Sequence, residues 1–261
     1  MHTLNNKFAI GCLVQWYEIE ILQEYLQSIQ NSLDVLDNEK NITVHLTLVT
    51  NQELEEIDDT VDIETIKDKF IRMAYRYEFD IKDELYTIAD YRRWFNDYYC
   101  DKVDVLMWGE SDSLIPKQTF QILDNMHTQV KDTTPKYVSF FGTCKMWDES
   151  WKVVEHTDFT DKPFIPNDYD NWWSLKYTMS INEMDKINEK VSELDVRVLN
   201  QFKFNGCGLV ISSEVVKAGA NIPRSVFFVH EDTAFQNMVT KLFDGAVPQY
   251  LVKNILLVHN R

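Results

Sequence analysis

The 261-residue chain is poor in the residues that punctuate or staple a fold, with seven glycines, six prolines and four cysteines. No glycines fall at GxGxxG or P-loop spacing, which argues against a dinucleotide-binding fold. The cysteines (Cys12, Cys100, Cys144, Cys207) are scattered, form no CxxC pair and sit in apolar or aromatic surroundings. That is the pattern of reduced core thiols rather than of a disulfide framework. No window approaches the ~18 uninterrupted apolar residues that a membrane span requires, so no membrane insertion is expected. The polar opening Met1–Lys7 runs into an apolar stretch too short and too soon charged for a secretory signal. The expectation is a soluble cytoplasmic protein, in the host cytoplasm if the source is viral. Basic charge is short as well: 26 Lys and Arg face 42 Asp and Glu, a formal −16. A general nucleic-acid coat or an anionic-membrane anchor would need the opposite balance.

What is present is core material. Apolar residues make up 44% and aromatics 13%, enough for a packed interior without staples at this length. Phe8–Val14 reads as a buried strand. Ile19, Leu22, Leu26 and Ile29 then recur at helical spacing, and Thr43–Thr50 reads as a second strand. This order opens an α/β domain with a mostly parallel central sheet flanked by helices. Residues 51–68 form an acidic loop and helix start, and 69–99 reads as mainly helical. A strand is expected at 103–108, a helix at 119–130 and a strand at 136–143. From Cys144 to about Asn182 the chain loses period and gains aromatics, as irregular excursions carrying binding elements do. A strand is expected at 205–212, helices at 213–219 and 230–243, and a final strand from 250. Without repeats, heptads or low-complexity linkers, a single domain over 1–261 is the simplest organisation.

Four groups of residues carry candidate chemistry. Val105–Trp108 ends directly in Gly109-Glu110-Ser111-Asp112, which puts two hard oxygen ligands at a carboxyl strand edge, where open α/β sheets bind ligands. Alternation can turn Glu110 and Asp112 toward one Mn²⁺ or Mg²⁺ that also meets substrate phosphates; an ordinary acidic turn competes with this reading. Glu231 and Asp232 open a helix, where macrodipole capping explains them and a general base is the alternative. Gly206 and Gly208 allow close backbone approach to a ligand, or a tight bulge. His259 is either a surface histidine or a third metal ligand, and Arg92 and Arg93 either grip a diphosphate or make surface ion pairs.

Taken in order, these motifs resemble the family-two-like nucleotide-sugar glycosyltransferases of the GT-A fold. Ile10–Ile29 is similar to that family's first strand and helix, Val105–Pro116 to its apolar strand, DxD and following proline, Asn205–Pro223 to its glycine-containing segment, and His230-Glu231-Asp232 to its Glu-Asp pair. The resemblance implies a metal-dependent enzyme that moves a sugar from a nucleoside-diphosphate sugar to an acceptor hydroxyl. Residues 1–135 would form the nucleotide-sugar-binding half and 136–261 the acceptor half. Asp112, with Glu110 in place of the first Asp, and His259 would hold the metal; Arg92, Arg93, Gly206 and Gly208 would meet the donor. Asp232, supported by Glu231, would be the base of an inverting reaction, with a retaining mechanism as the alternative if Asp232 lies remote from the acceptor hydroxyl. Val49-Thr50-Asn51-Gln52 departs from the family's Asp-rich segment, so the nucleotide stays open. Trp147, Trp151, Trp172 and Trp173 either pack a core, the commoner role of such residues, or stack on an acceptor, which is a glycan, a protein or a hydroxymethylated DNA base of the kind phage base-modifying transferases use. The −16 charge disfavours a DNA acceptor, for which Lys145, Lys152, Lys162 and Lys176 would have to line a local basic groove. A silent nucleotide-sugar-binding protein and a nucleotidyltransferase are the alternatives.

Overall fold

The computed structural model describes residues 1–50, 61–143, 145–147, 153–155, 179–199, 206–227 and 230–259. The strands are β1 (Phe8–Gln15), β2 (Ile42–Val49), β3 (Glu78–Lys82), β4 (Val105–Glu110), β5 (Ser113–Leu114), β6 (Val138–Gly142), β7 (Lys145–Trp147), β8 (Val153–Glu155), β9 (Val196–Leu199), β10 (Val210–Ser212), β11 (Gln249–Leu256) and β12 (Val258–His259). The helices are α1 (Leu22–Leu33), α2 (Ile63–Ala74), α3 (Ile88–Tyr99), α4 (Thr119–Val130), α5 (Ile181–Asn188), α6 (Ser213–Lys217) and α7 (Glu231–Leu242).

Eight strands form one sheet in the order β3-β2-β1-β4-β10-β6-β11-β9. The four around β1 are mutually parallel, as are β6 and β11, while β10 and β9 run against their neighbours. This is the expected mixed α/β architecture. The central strand β1 is buried along almost its whole length, which is why it reads as a continuous apolar run instead of an alternating one. Its pleat still sorts side chains: Phe8, Ile10, Cys12 and Val14 join the core under α1, α2 and α4. Ala9 and Leu13 join the opposite core under α3, α6 and α7. Two helical layers therefore enclose the sheet.

The structure adds strands that the sequence hid, β3, β5, β7, β8 and β9, and β3 shows why. Within the segment expected to be helical, Glu78–Lys82 pairs in parallel with β2 at the sheet edge. Its residues are exposed or half-buried, so its charged, alternating pattern lacks the apolar run that marks an inner strand. The irregular stretch after Cys144 is described only at β7, which pairs with β8, and from residue 179 onward. Lys145 and Trp147 lie on β7; Trp151, Trp172, Trp173, Lys152, Lys162 and Lys176 lie outside the described residues, as do 51–60. Among the described residues no helix is long and apolar enough to cross a membrane.

The segment leading into β1 is fixed by one carboxylate. Asp124 of α4 is fully buried and accepts from the Asn5 and Asn6 amides (2.9 and 3.0 Å) and from the Asn6 side chain at 2.8 Å. It also faces His2 at 3.2 Å. Burial raises the Asp124 carboxyl, but the hydrogen bonds from Asn6, His2 and Asn5 more than reverse this and hold it below its ordinary 3.8. A carboxyl lowered in the folded state stabilises at pH above the unfolded value, and that gain is lost as pH falls. Asp124→Ala is expected to cost about 3 kcal/mol at pH 7 in urea unfolding, through stranded buried donors. The deficit should shrink below pH 4; an equal deficit at pH 3 and pH 7 would contradict the assignment.

Candidate active site

Strand β4 delivers five buried residues and then Glu110 at the sheet's carboxyl edge, paired in register with Leu13 of β1. The turn that follows is closed by Ser113, whose hydroxyl donates to the Glu110 carbonyl at 2.7 Å. It is tied to the β1–α1 loop by Glu18, which accepts from the Ser111 hydroxyl (2.8 Å) and the Gln15 amide (2.9 Å). Beyond the turn, β5 pairs antiparallel with β12, placing Ser113 opposite His259. This pairing carries the far end of the chain to the turn. His259 Nε2 stands 3.3 Å from both Glu110 Oε2 and Asp112 Oδ2, and Asp112 is only 9% exposed.

From the α3 side comes Arg92, with 2% of its surface accessible. Its Nη2 donates to Glu110 Oε1 at 2.6 Å, its Nη1 donates to Glu231, and its guanidinium lies 4.7 Å over the Trp108 ring. Burial opposes its charge, yet the facing Glu231 and Glu110 carboxylates outweigh burial and raise its pKa further. Arg92 is therefore a fixed cation enclosed by protein carboxylates. Arg93 lies apart from this cluster: it pairs with Asp90 at 2.9 Å and donates to the carbonyls of Ile222, Pro223 and Val226. There it clamps the segment that leads toward α7.

Helix α7 begins after His230, which takes the left-handed conformation at φ 63°. The sharp turn buries Glu231 against Arg92 and leaves Asp232 half-buried, accepting from the Thr233 amide at 2.6 Å. Burial raises the Glu231 carboxyl, Arg92 lowers it and Asp232 raises it again, for a net rise above its usual range. Gly206 sits against Arg92 and Asp232. A Cβ there would stand 2.7 Å from Arg92 Nη1 and 3.2 Å from Asp232 Cβ, so only glycine lets the loop pass. Gly208, at φ 71°, adopts a turn backbone that other residues rarely take, with Leu257 filling its Cβ position.

Between these glycines, Cys207 is buried and free, as its sequence context implied. Its position among the acids was not foreseen. Single ligand atoms of Glu110, Cys207 and His259 all lie within 4.8 Å of one another. Burial, then Glu110 and Asp112, push its thiol well above the ordinary range. Glu18 was also missed, since one acid in an amphipathic helix start has no distinguishing pattern. For Cys207 the flanking glycines were the available signal.

Four carboxylates thus gather around one guanidinium and one imidazole. An ion with bonds of about 2.0–2.2 Å holds neighbouring ligands roughly 3.0–3.5 Å apart. The 3.3 Å spacings from His259 to Glu110 and from His259 to Asp112 each fit that range, while the three groups found within 4.8 Å of one another are Glu110, Cys207 and His259. The oxygen and imidazole donor set suits a divalent cation such as Mn²⁺ or Mg²⁺.

Arg92→Met tests the electrostatic account. It leaves Glu231 buried without its cation, at a cost of about 3–5 kcal/mol at pH 7. A carboxyl with a raised folded pKa favours folding at low pH and loses that contribution as pH rises through its folded value. Without Arg92 the rise is larger, so urea unfolding should show a greater deficit at pH 7 than at pH 5. A deficit independent of pH would contradict the pairing.

No family model and no curated protein matches the sequence. Among solved structures, TarS from S. aureus aligns with 98% of this chain at TM-score 0.52 and 11% identity. The mannosyltransferase PcManGT from Pyrobaculum calidifontis, solved in complex with GDP-Man and Mn²⁺, aligns with 97% at TM-score 0.54 and 12% identity. The chain spans 37% of the first and 56% of the second. At these identities the likeness is one of fold: a large, mostly parallel sheet flanked by helices, with the acidic turn after β4 at its carboxyl edge, is a GT-A-like fold.

Proposed function

We propose that the chain is a glycosyltransferase that moves a sugar from a nucleoside-diphosphate sugar to an acceptor hydroxyl, with a divalent cation held by Glu110, Asp112 and His259. The observation that carries this reading is His259, which the final strand brings within 3.3 Å of each acid of the β4 turn at the carboxyl edge of a GT-A-like sheet. PcManGT, which shares the fold, was solved with GDP-Man and Mn²⁺. When bound, the cation would offset negative charge on the donor diphosphate and on the leaving nucleoside diphosphate.

The chain's own residues do the rest. Arg92 holds Glu110 in place through Oε1, leaving Oε2 toward His259. Through Glu231 it also fixes the start of α7, and with it the position of Asp232. Asp232 takes the proton of the acceptor hydroxyl at its carboxylate as the acceptor attacks the anomeric carbon, an inverting displacement. Gly206 lets the loop before β10 pass closely against Arg92 and Asp232. Residues 1–135 provide the donor half and 136–261 the acceptor half of a single domain. The acceptor is a glycan, a protein or a hydroxymethylated DNA base, with Trp147, Trp172 and Trp173 as its stacking surfaces.

A panel of nucleotides and nucleotide sugars, with and without Mn²⁺ or Mg²⁺, tests the reading by thermal unfolding. At least one nucleoside diphosphate should raise Tm only with the cation, and Asp112→Ala should abolish the shift. Asp232→Asn should keep donor binding while lowering turnover by roughly 10²–10⁴. No cation-dependent stabilisation by any nucleotide would overturn the proposal, and release of pyrophosphate would identify a nucleotidyltransferase instead.

A further inference from the structure

The cation site has one donor that its hard-metal reading does not use. Cys207 lies on the loop before β10, 4% exposed, and its sulfur falls within 4.8 Å of ligand atoms of both Glu110 and His259. A carboxylate oxygen, an imidazole nitrogen and a sulfur at this spacing form a mixed set. Carboxylate and water suit Mg²⁺ and Mn²⁺, whereas thiolate and imidazole favour Zn²⁺, which also stands above Mn²⁺ in intrinsic affinity for such donors.

We infer that Glu110, Cys207 and His259 form a thiolate-containing Zn²⁺ site that overlaps the donor-cation site and shuts it by competition. The inference rests on the proposed cation site at Glu110 and His259 and adds its regulation by a softer metal. Binding breaks the Cys207 S–H bond and forms a metal–sulfur bond; the proton leaves to solvent, and nothing is oxidised or reduced. Because Glu110 and His259 serve both ions, Zn²⁺ and the hard cation exclude each other. The sulfur ligand makes that exclusion selective, since Mg²⁺ and Mn²⁺ gain little from it.

X-ray absorption at the Zn edge of the full chain loaded with one equivalent of Zn²⁺ reads the ligands directly. One sulfur at about 2.3 Å beside a nitrogen and oxygen shell is expected. In Cys207→Ser the sulfur should vanish and Zn²⁺ affinity fall at least on the order of tenfold, since even outer-shell partners are worth roughly 10–100-fold. Mn²⁺ binding, followed by electron paramagnetic resonance, should be retained in that variant, and Cys12→Ser should keep the sulfur signal. An oxygen and nitrogen shell alone in the wild-type chain, or a sulfur that persists in Cys207→Ser, overturns the inference. Mn²⁺ binding without a Zn–sulfur signal would leave the proposed function standing and remove only this inference, whereas failure of both metals to bind would remove both.

Discussion

The site depends on a guanidinium that water barely reaches. Arg92 projects from α3 between the end of β4 and the start of α7, and its two terminal nitrogens reach Glu110 and Glu231. A lone buried charge costs several kcal/mol, and a single ion pair in a protein interior often recovers no more than that cost. Two carboxylates and the face of Trp108 make the position tolerable. The consequence is geometric: a strand end and a helix start, separated by more than a hundred residues, are locked at a common centre. Each acid is also left with a defined remainder, Oε2 of Glu110 facing His259 and Asp232 next to Glu231 on the α7 turn.

Around that centre the polypeptide makes room by subtraction. Gly206 stands where any side chain would strike Arg92 or Asp232, and Gly208 turns the backbone so that Cys207 packs inward. The closing contribution comes from β12, whose antiparallel pairing with β5 carries His259 to the acids. None of these elements makes a site alone. Acids at a strand end are commonplace, and acids in a first helical turn are ordinary capping. Their meeting with an imidazole and a thiol in one place is what separates the arrangement from a solvated acidic turn.

Legibility varied with burial. β1, β2 and β4 were plain in the sequence because strands buried on both faces read as apolar runs. Edge strand β3 was not, because its exposed residues carry the charges of a surface helix. The carboxylates Glu110, Asp112, Glu231 and Asp232 stood out as candidates because each follows an apolar strand or opens a helix. Arg92 and Arg93 looked alike as neighbours on one helix. Successive helical residues point about 100° apart, so one enters the acidic centre and the other clamps the loop before α7.

The sequence by itself determined the layered α/β order and the acids at the two element ends, since apolar period and helix and strand boundaries are local properties of the chain. Only the tertiary structure decided which charges meet. Pairing of β5 with β12 brought His259 to Asp112 across well over a hundred residues, and packing of α3 against β4 put Arg92 within reach of Glu110 and of Glu231 at the start of α7. The placement of Cys207 beside Glu110 followed from a glycine turn whose direction no pattern announces. Local spacing sets which face a residue occupies, but contacts between distant segments are fixed by the packing of the whole core.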